Sequence, residues 1–268
     1  MLQAKQSFLF FLLGICALSA KAQDFALAQL NNSPRHHEWA QVVYDNRTVH
    51  CFVAYPEKPN KTQAVVVIHE NRGLNDWARS FADQLAGEGY LVIAPDLLSG
   101  FSADKQRTSD FANSDDARTA ISQLNADQIT NDLKAVVAFT KQIPSCDGTV
   151  SVAGFCFGGS QAFRFATNAG ESIKQVMVFY GTAPTDVDAL GKIKVPVFGF
   201  YGGNDNRVNA TIPDTENVLK ANGKTYTYTI YEGAGHAFMR LGDDPAGSEE
   251  NKAAQKASWE KLRQILGE

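Results

Sequence analysis

Four cysteines in 268 residues are too few for a disulfide scaffold, and none form a C-x-x-C pair, which disfavours a thiol-redox protein. No basic block is present. Lys and Arg number 25 against 29 Asp and Glu, a net charge of −4, so a nucleic-acid binder or a polybasic membrane-surface protein does not fit. No Cys/His cluster has metal-ligand spacing, and no glycine-rich loop matches a P-loop or dinucleotide fingerprint. The expectation is therefore no metal and no cofactor. There is no internal repeat and no Ser/Pro/Gly-rich linker to split the chain. Hydrophobic residues make up 44% and the mean hydropathy is −0.23, which excludes disorder and a multi-pass membrane protein.

The N-terminus carries an apolar run, but a short one. Lys5 gives a positive start, Phe8 to Leu18 follows, and Ala20-Lys21-Ala22 has the small-x-small form of a cleavage site. The run is too short to span a bilayer. Residues 1–22 thus read as a secretory signal peptide cleaved before Gln23, leaving no stable membrane insertion. Ile15 before Cys16 is not the small residue that a lipoprotein site wants. Cleavage removes Lys5, Lys21 and Cys16 but no acid, so the mature chain is more acidic and keeps Cys51, Cys146 and Cys156. The protein is expected to be exported, periplasmic or secreted, where disulfides can form.

Residues 23–268 read as one α/β domain. Two β-rich runs within 41–55 flank Asp45-Asn46 as a hairpin. Ala64 to Ile68 and Tyr90 to Ala94 are continuous apolar runs, as strands buried on both faces should be. Further strands are expected at 149–153, 175–180, 195–201 and 225–231. Helices are expected at 76–87, 126–142, 159–167, 213–221 and 248–266. Residues 99–125 are polar and weakly periodic, which suggests an excursion over the sheet and a candidate lid. Strands alternating with helices imply a mostly parallel central sheet covered on both faces, with ligands at the carboxyl ends of strands.

Reactive residues fall at those ends. Gly154-Phe155-Cys156-Phe157-Gly158 runs from a strand into a helix in the nucleophile-elbow pattern G-x-S-x-G, with cysteine for serine. At a helix N-terminus the partial positive charge is expected to favour the Cys156 thiolate. Taken alone, the motif is also compatible with a buried structural cysteine in a glycine-rich turn. Asp205 and His236 each lie just past a strand end, in the order nucleophile, acid, histidine. His236 is then the proton partner of Cys156, and Asp205 orients the imidazole. His69 is the other histidine at a strand end, whereas His36 and His37 lie in the polar N-terminal stretch and His50 within a strand.

With these motifs the chain resembles the dienelactone hydrolase family of the α/β-hydrolase superfamily, over roughly residues 40–266. The resemblance rests on His69-Glu70 followed by Gly73, APDLL at 94–98, GFCFGG at 154–159, Asp205, and GHAFMR at 235–240. It implies an α/β-hydrolase fold and a small ester or lactone substrate. It implies that Glu70 contacts the nucleophile and helps take its proton, and that Arg240 pairs with Glu70 and with a substrate carboxylate. A forked guanidinium suits such pairing, though a structural ion pair at the pocket rim is the plainer alternative. The oxyanion hole would be formed by the backbone N–H groups of Phe157 and Asn71. One departure stands out: where the family has a second carboxylate-binding arginine, this chain has Gly100, and Arg72 or Arg107 are candidates to supply the charge. The alternative to an enzyme is a non-catalytic ligand-binding protein on the same fold. Cys51 and Cys146 are left as a candidate disulfide, and oligomeric state is left open.

Overall fold

The computed structural model describes residues 25–267. The expected signal peptide and Cys16 lie outside them. The chain opens with helix α1 (25–31) and the hairpin β1 (His37–Tyr44) and β2 (Arg47–Ala54), followed by β3 (Thr62–Ile68), α2 (Asp76–Gly87) and β4 (Leu91–Pro95). After a 3-10 turn at Thr108–Asp110 come α3 (Ser114–Ile121), α4 (Ala126–Thr140), β5 (Cys146–Phe155), α5 (Phe157–Ala166), β6 (Val176–Phe179) and α6 (Val187–Gly191). The remainder is β7 (Val197–Gly202), α7 (Asn206–Asn209), α8 (Ile212–Ala221), β8 (Tyr226–Tyr231), α9 (Phe238–Asp243) and α10 (Glu249–Gly267). The eight strands form one sheet in the order β1-β2-β4-β3-β5-β6-β7-β8. β2 pairs antiparallel with β1 and β4, and every other pairing is parallel.

The apolar runs work as the period-2 geometry of a strand requires. On β3, Ala64, Val66 and Ile68 enter one core and Val65 and Val67 the other; on β4, Leu91 and Ile93 oppose Val92 and Ala94. Ile129, Leu133 and Val136 of α4 and Phe163 of α5 cover the first face. Trp77 and Phe81 of α2 and Trp259 and Leu262 of α10 cover the second. This is an α/β-hydrolase arrangement, a mostly parallel sheet between two helical layers.

Several boundaries differ from the expectation. β1 begins at His37, within the polar stretch, because an edge strand has one open side; Trp39 and Val43 are exposed. β5 extends from Cys146 to Phe155, beyond the expected 149–153. The excursion 99–125 contains α3, whose period is faint because only Ala117, Ala120 and Ile121 are buried; they pack with Leu98 and Phe157. The Cys51–Cys146 pairing is overturned: both thiols are free and buried. Cys51 sits opposite Pro95 at the far end of β4, whereas Cys146 sits opposite Thr62 at the start of β3. They are three strands apart, about 14 Å at 4.8 Å per strand, and at opposite ends of the sheet. A disulfide needs Cα atoms within about 7 Å.

Candidate active site

The site is built where β5 turns into α5. Cys156 lies between them at φ 55°, ψ −114°, a strained conformation for a residue with a Cβ. The turn closes only because its neighbours lack side chains: a Cβ on Gly158 would lie 2.3 Å from the Ile68 carbonyl oxygen, and one on Gly154 2.0 Å from that of Gly158. Cys156 N–H donates to the Phe179 carbonyl at 3.0 Å, tying the turn to β6.

Loops from two other strand ends converge on the sulfur. His236, after β8, places Nε2 3.1 Å from Cys156 Sγ. Its Nδ1 lies 2.5 Å from Oδ2 of Asp205, which follows β7 and is buried. The two contacts form one line, sulfur to imidazole to carboxylate. The backbone N–H groups of Phe157 and Asn71 both favour the charged form of the sulfur, so the two expected oxyanion donors act on one atom.

Glu70 is 3% exposed and spends both oxygens away from the thiol: Oε2 accepts from Arg240 Nε at 2.8 Å, and Oε1 accepts from the Tyr180 hydroxyl at 3.1 Å. The expected Glu70–Arg240 pair is thus present, but no hydrogen bond joins Glu70 to Cys156. Tyr180, absent from the sequence reading, sits at φ 41° just past β6, its ring edge-on to His236. His69 is fully buried; Nδ1 lies 2.7 Å from the Glu70 carbonyl and Nε2 accepts the Leu97 N–H at 3.2 Å. That fixes a neutral Nδ1–H tautomer, and burial lowers the pKa of the ring further. The Glu70 carbonyl shares its peptide with the Asn71 N–H, so His69 orients that donor rather than joining the reacting groups.

Electrostatics correct one expectation. Burial, and then the negative charge of Glu70, push the Cys156 thiol up to about 11; the Phe157 and Asn71 N–H groups and Arg207 pull the other way and do not prevail. At neutral pH the resting sulfur is a thiol, not the thiolate expected from the helix N-terminus alone. Burial pulls the Arg240 guanidinium down, but the charge and hydrogen bond of Glu70 outweigh it and hold its pKa above the ordinary value.

A cavity of about 280 Å³ opens over the sulfur, lined by Asn71, Phe157, Tyr180, Arg118 and Arg207, among others. Neither arginine was read from the sequence: Arg118 rides on α3 and Arg207 on α7, elements too short to show a period. Arg72 and Arg107 line a different cleft. Gly100 lies beside Arg47, away from the sulfur's cavity. Among the described residues no group of three His, Cys, Asp or Glu could hold a metal, and no helix is long and apolar enough to cross a membrane.

Comparison with known proteins agrees with this architecture. A protein of Saccharolobus solfataricus named "Putative carboxymethylenebutenolidase" is 29% identical over 257 residues, covering 84% of this chain and 97% of its own length. Among solved structures, a dienelactone hydrolase-like promiscuous phosphotriesterase from metagenomic libraries superposes with a TM-score of 0.71 at 21% identity, covering 87% of this chain and 98% of its own. The dienelactone hydrolase of Anabaena variabilis gives 0.64 at 18% identity, covering 84% and 95%. At such identities the two structures speak to the fold alone. The model of the dienelactone hydrolase family matches residues 49–268, most of the chain, and the chain belongs to that family of hydrolases.

Proposed function

We propose that this hydrolase cleaves a carboxylic ester or lactone through Cys156, His236 and Asp205, by way of a thioester. The observation that carries the reading is the unbroken line from Sγ to Nε2 at 3.1 Å and from Nδ1 to Asp205 Oδ2 at 2.5 Å, held at a strained turn. The substrate carbonyl oxygen sits between the N–H groups of Phe157 and Asn71. The thiol passes its proton to His236 Nε2 as sulfur attacks the carbonyl carbon. The tetrahedral oxyanion is met by the two N–H donors, each contributing roughly 3–4 kcal/mol. Collapse expels the alkoxide, which takes the proton from His236 and leaves a thioester on Cys156. His236 then removes a proton from water, hydroxide adds to the thioester, and the carboxylic acid departs as the sulfur regains its proton.

Asp205 holds the imidazole with Nδ1 protonated and stabilises its cation. Arg240 retains Glu70, and its terminal nitrogens have no carboxylate partner among the described residues. In this reading they are open to a substrate carboxylate. The N-terminal segment directs export, and the mature protein begins at Gln23. Ester and lactone hydrolysis by wild type, Cys156→Ala and Cys156→Ser tests the chemistry. Loss of activity in Cys156→Ala, and an acyl adduct on wild type in rapid-quench mass spectrometry, are expected; an alanine variant turning over at the wild-type rate refutes it.

A further inference from the structure

A second cleft, of about 390 Å³, lies apart from the sulfur. It is bounded by β1, the loop after Glu70, the start of α2 and the excursion before α3. It collects three guanidinium groups, from Arg72, Arg79 and Arg107, on a chain whose net charge is negative. Two carboxylates share its wall, fewer than the three guanidinium groups, and neither forms an ion pair with Arg72 or Arg107. Asp96 is buried and turned to its own loop: it accepts from Leu98 N–H at 3.1 Å, Thr108 Oγ1 at 2.8 Å and Thr108 N–H at 2.6 Å. Asp76 pairs with Arg79 alone, one helical turn away. Even so, the buried Arg79 Nε has no hydrogen-bond partner. Among the described residues no carboxylate lies within ion-pair distance of Arg72 or Arg107. Asp110, beside Arg107, turns its carboxylate to the backbone N–H groups of Gln106 and Arg107.

Arg107 is also held in place. Its guanidinium carbon lies 5.1 Å from the ring centre of Trp39, which is 41% exposed. Stacking on an indole keeps the planar group in the cleft while leaving its N–H edge free to donate. Three guanidinium groups in one cavity repel one another, Arg72 and Arg107 have no ion-pair partner there, and a bound anion relieves that cost. Forked guanidinium donors match a carboxylate, and the rings of Trp39 and Phe111 offer apolar surface for a flat body.

We propose that this cleft is a second binding site, separate from the Cys156 cavity, for a small organic carboxylate carried on a planar body. The proposal stands whether or not the triad reading holds. The three tryptophans make it measurable: Trp77 and Trp259 are buried, so a change in exposed indole emission reports Trp39. The full-length protein is first alkylated at Cys156 with iodoacetamide to close the other cavity, then titrated with benzoate, with neutral benzamide, and with inorganic phosphate. Benzoate is expected to give a saturable change at millimolar concentration, weakened about fivefold or more in Arg72→Ala and in Arg107→Ala. Benzamide and phosphate are expected to give a weaker response or none. Calorimetry on Trp39→Phe, which lacks the reporter, should still show benzoate binding. No saturation by about 50 mM benzoate, equal responses to benzamide or phosphate, or binding indifferent to both arginine substitutions overturns the assignment.

Discussion

Replacing Glu70 by glutamine should make Cys156 easier to alkylate. Glu70 is the second cause of the thiol's high pKa after burial, and the thiol sits at about 11. At pH 7.5 that leaves about 3 thiolates in 10,000. A like charge close to a titrating group shifts it by about 1–2 units once partly screened by its own partner. Glutamine removes that charge and leaves Arg240 uncompensated, so the thiol pKa falls. The thiolate fraction at neutral pH then rises about 10- to 100-fold, but each thiolate becomes less nucleophilic, with a Brønsted slope of about 0.4–0.5. The net gain in iodoacetamide rate is about 3- to 10-fold. The assay is pseudo-first-order alkylation across pH, followed by mass spectrometry. Arg240→Met is the counter-test: the Arg240 cation attracts the Cys156 thiolate, so losing it should raise the thiol pKa and slow the reaction. An unchanged or slower rate in Glu70→Gln, in a protein with native circular dichroism, refutes the claim that Glu70 governs the thiol through its charge.

Three further outcomes follow. In His69→Asn the amide N–H takes the place of Nδ1–H and keeps the Glu70 carbonyl bond; in His69→Gln only the Leu97 contact is retained. The asparagine variant should hold kcat within about tenfold while the glutamine variant loses about 100-fold, at similar Tm; equal losses would show that His69 does not orient the Asn71 N–H. Gly158→Ala should abolish activity and lower Tm, because its Cβ would lie 2.3 Å and 2.4 Å from two backbone carbonyl oxygens; a stable, active protein would contradict the elbow geometry. Burial raises Asp243 to about 6 despite hydrogen bonds from Trp77 and Gln255. A raised carboxylic acid favours folding at low pH and loses that contribution as pH rises from about 4 to about 6, on the order of 1–2 kcal/mol for a partly exposed group. Thermal melts should show Asp243→Asn gaining on wild type over that window, and parallel curves would refute the shift.

The centre of the sheet was legible because its strands are buried on both faces, so AVVVI at 64–68 and YLVIA at 90–94 carry their own signal. The convergence of Cys156, Asp205 and His236 followed from their positions just past strand ends, since a parallel sheet gathers such ends on one edge. What stayed hidden depends on contacts between distant segments. The side chain of Tyr180 matters through Glu70, 110 residues away in sequence. Arg118 and Arg207 sit on helices of eight and four residues. A helix N-terminus is visible in sequence, but the burial and neighbouring carboxylate that outweigh it at Cys156 are not.

The separation of the three described cysteines has a consequence for oxidative durability. A sulfur that is protonated at rest is a poor target for peroxide, because the thiolate is the form that oxidises. Cys51 is three strands from the elbow, and Cys146 is at the opposite end of the same strand. Neither can reach Cys156 to resolve a sulfenic acid as an internal disulfide. This arrangement avoids scrambled bridges, but repair of an oxidised Cys156 must come from a thiol outside the protein.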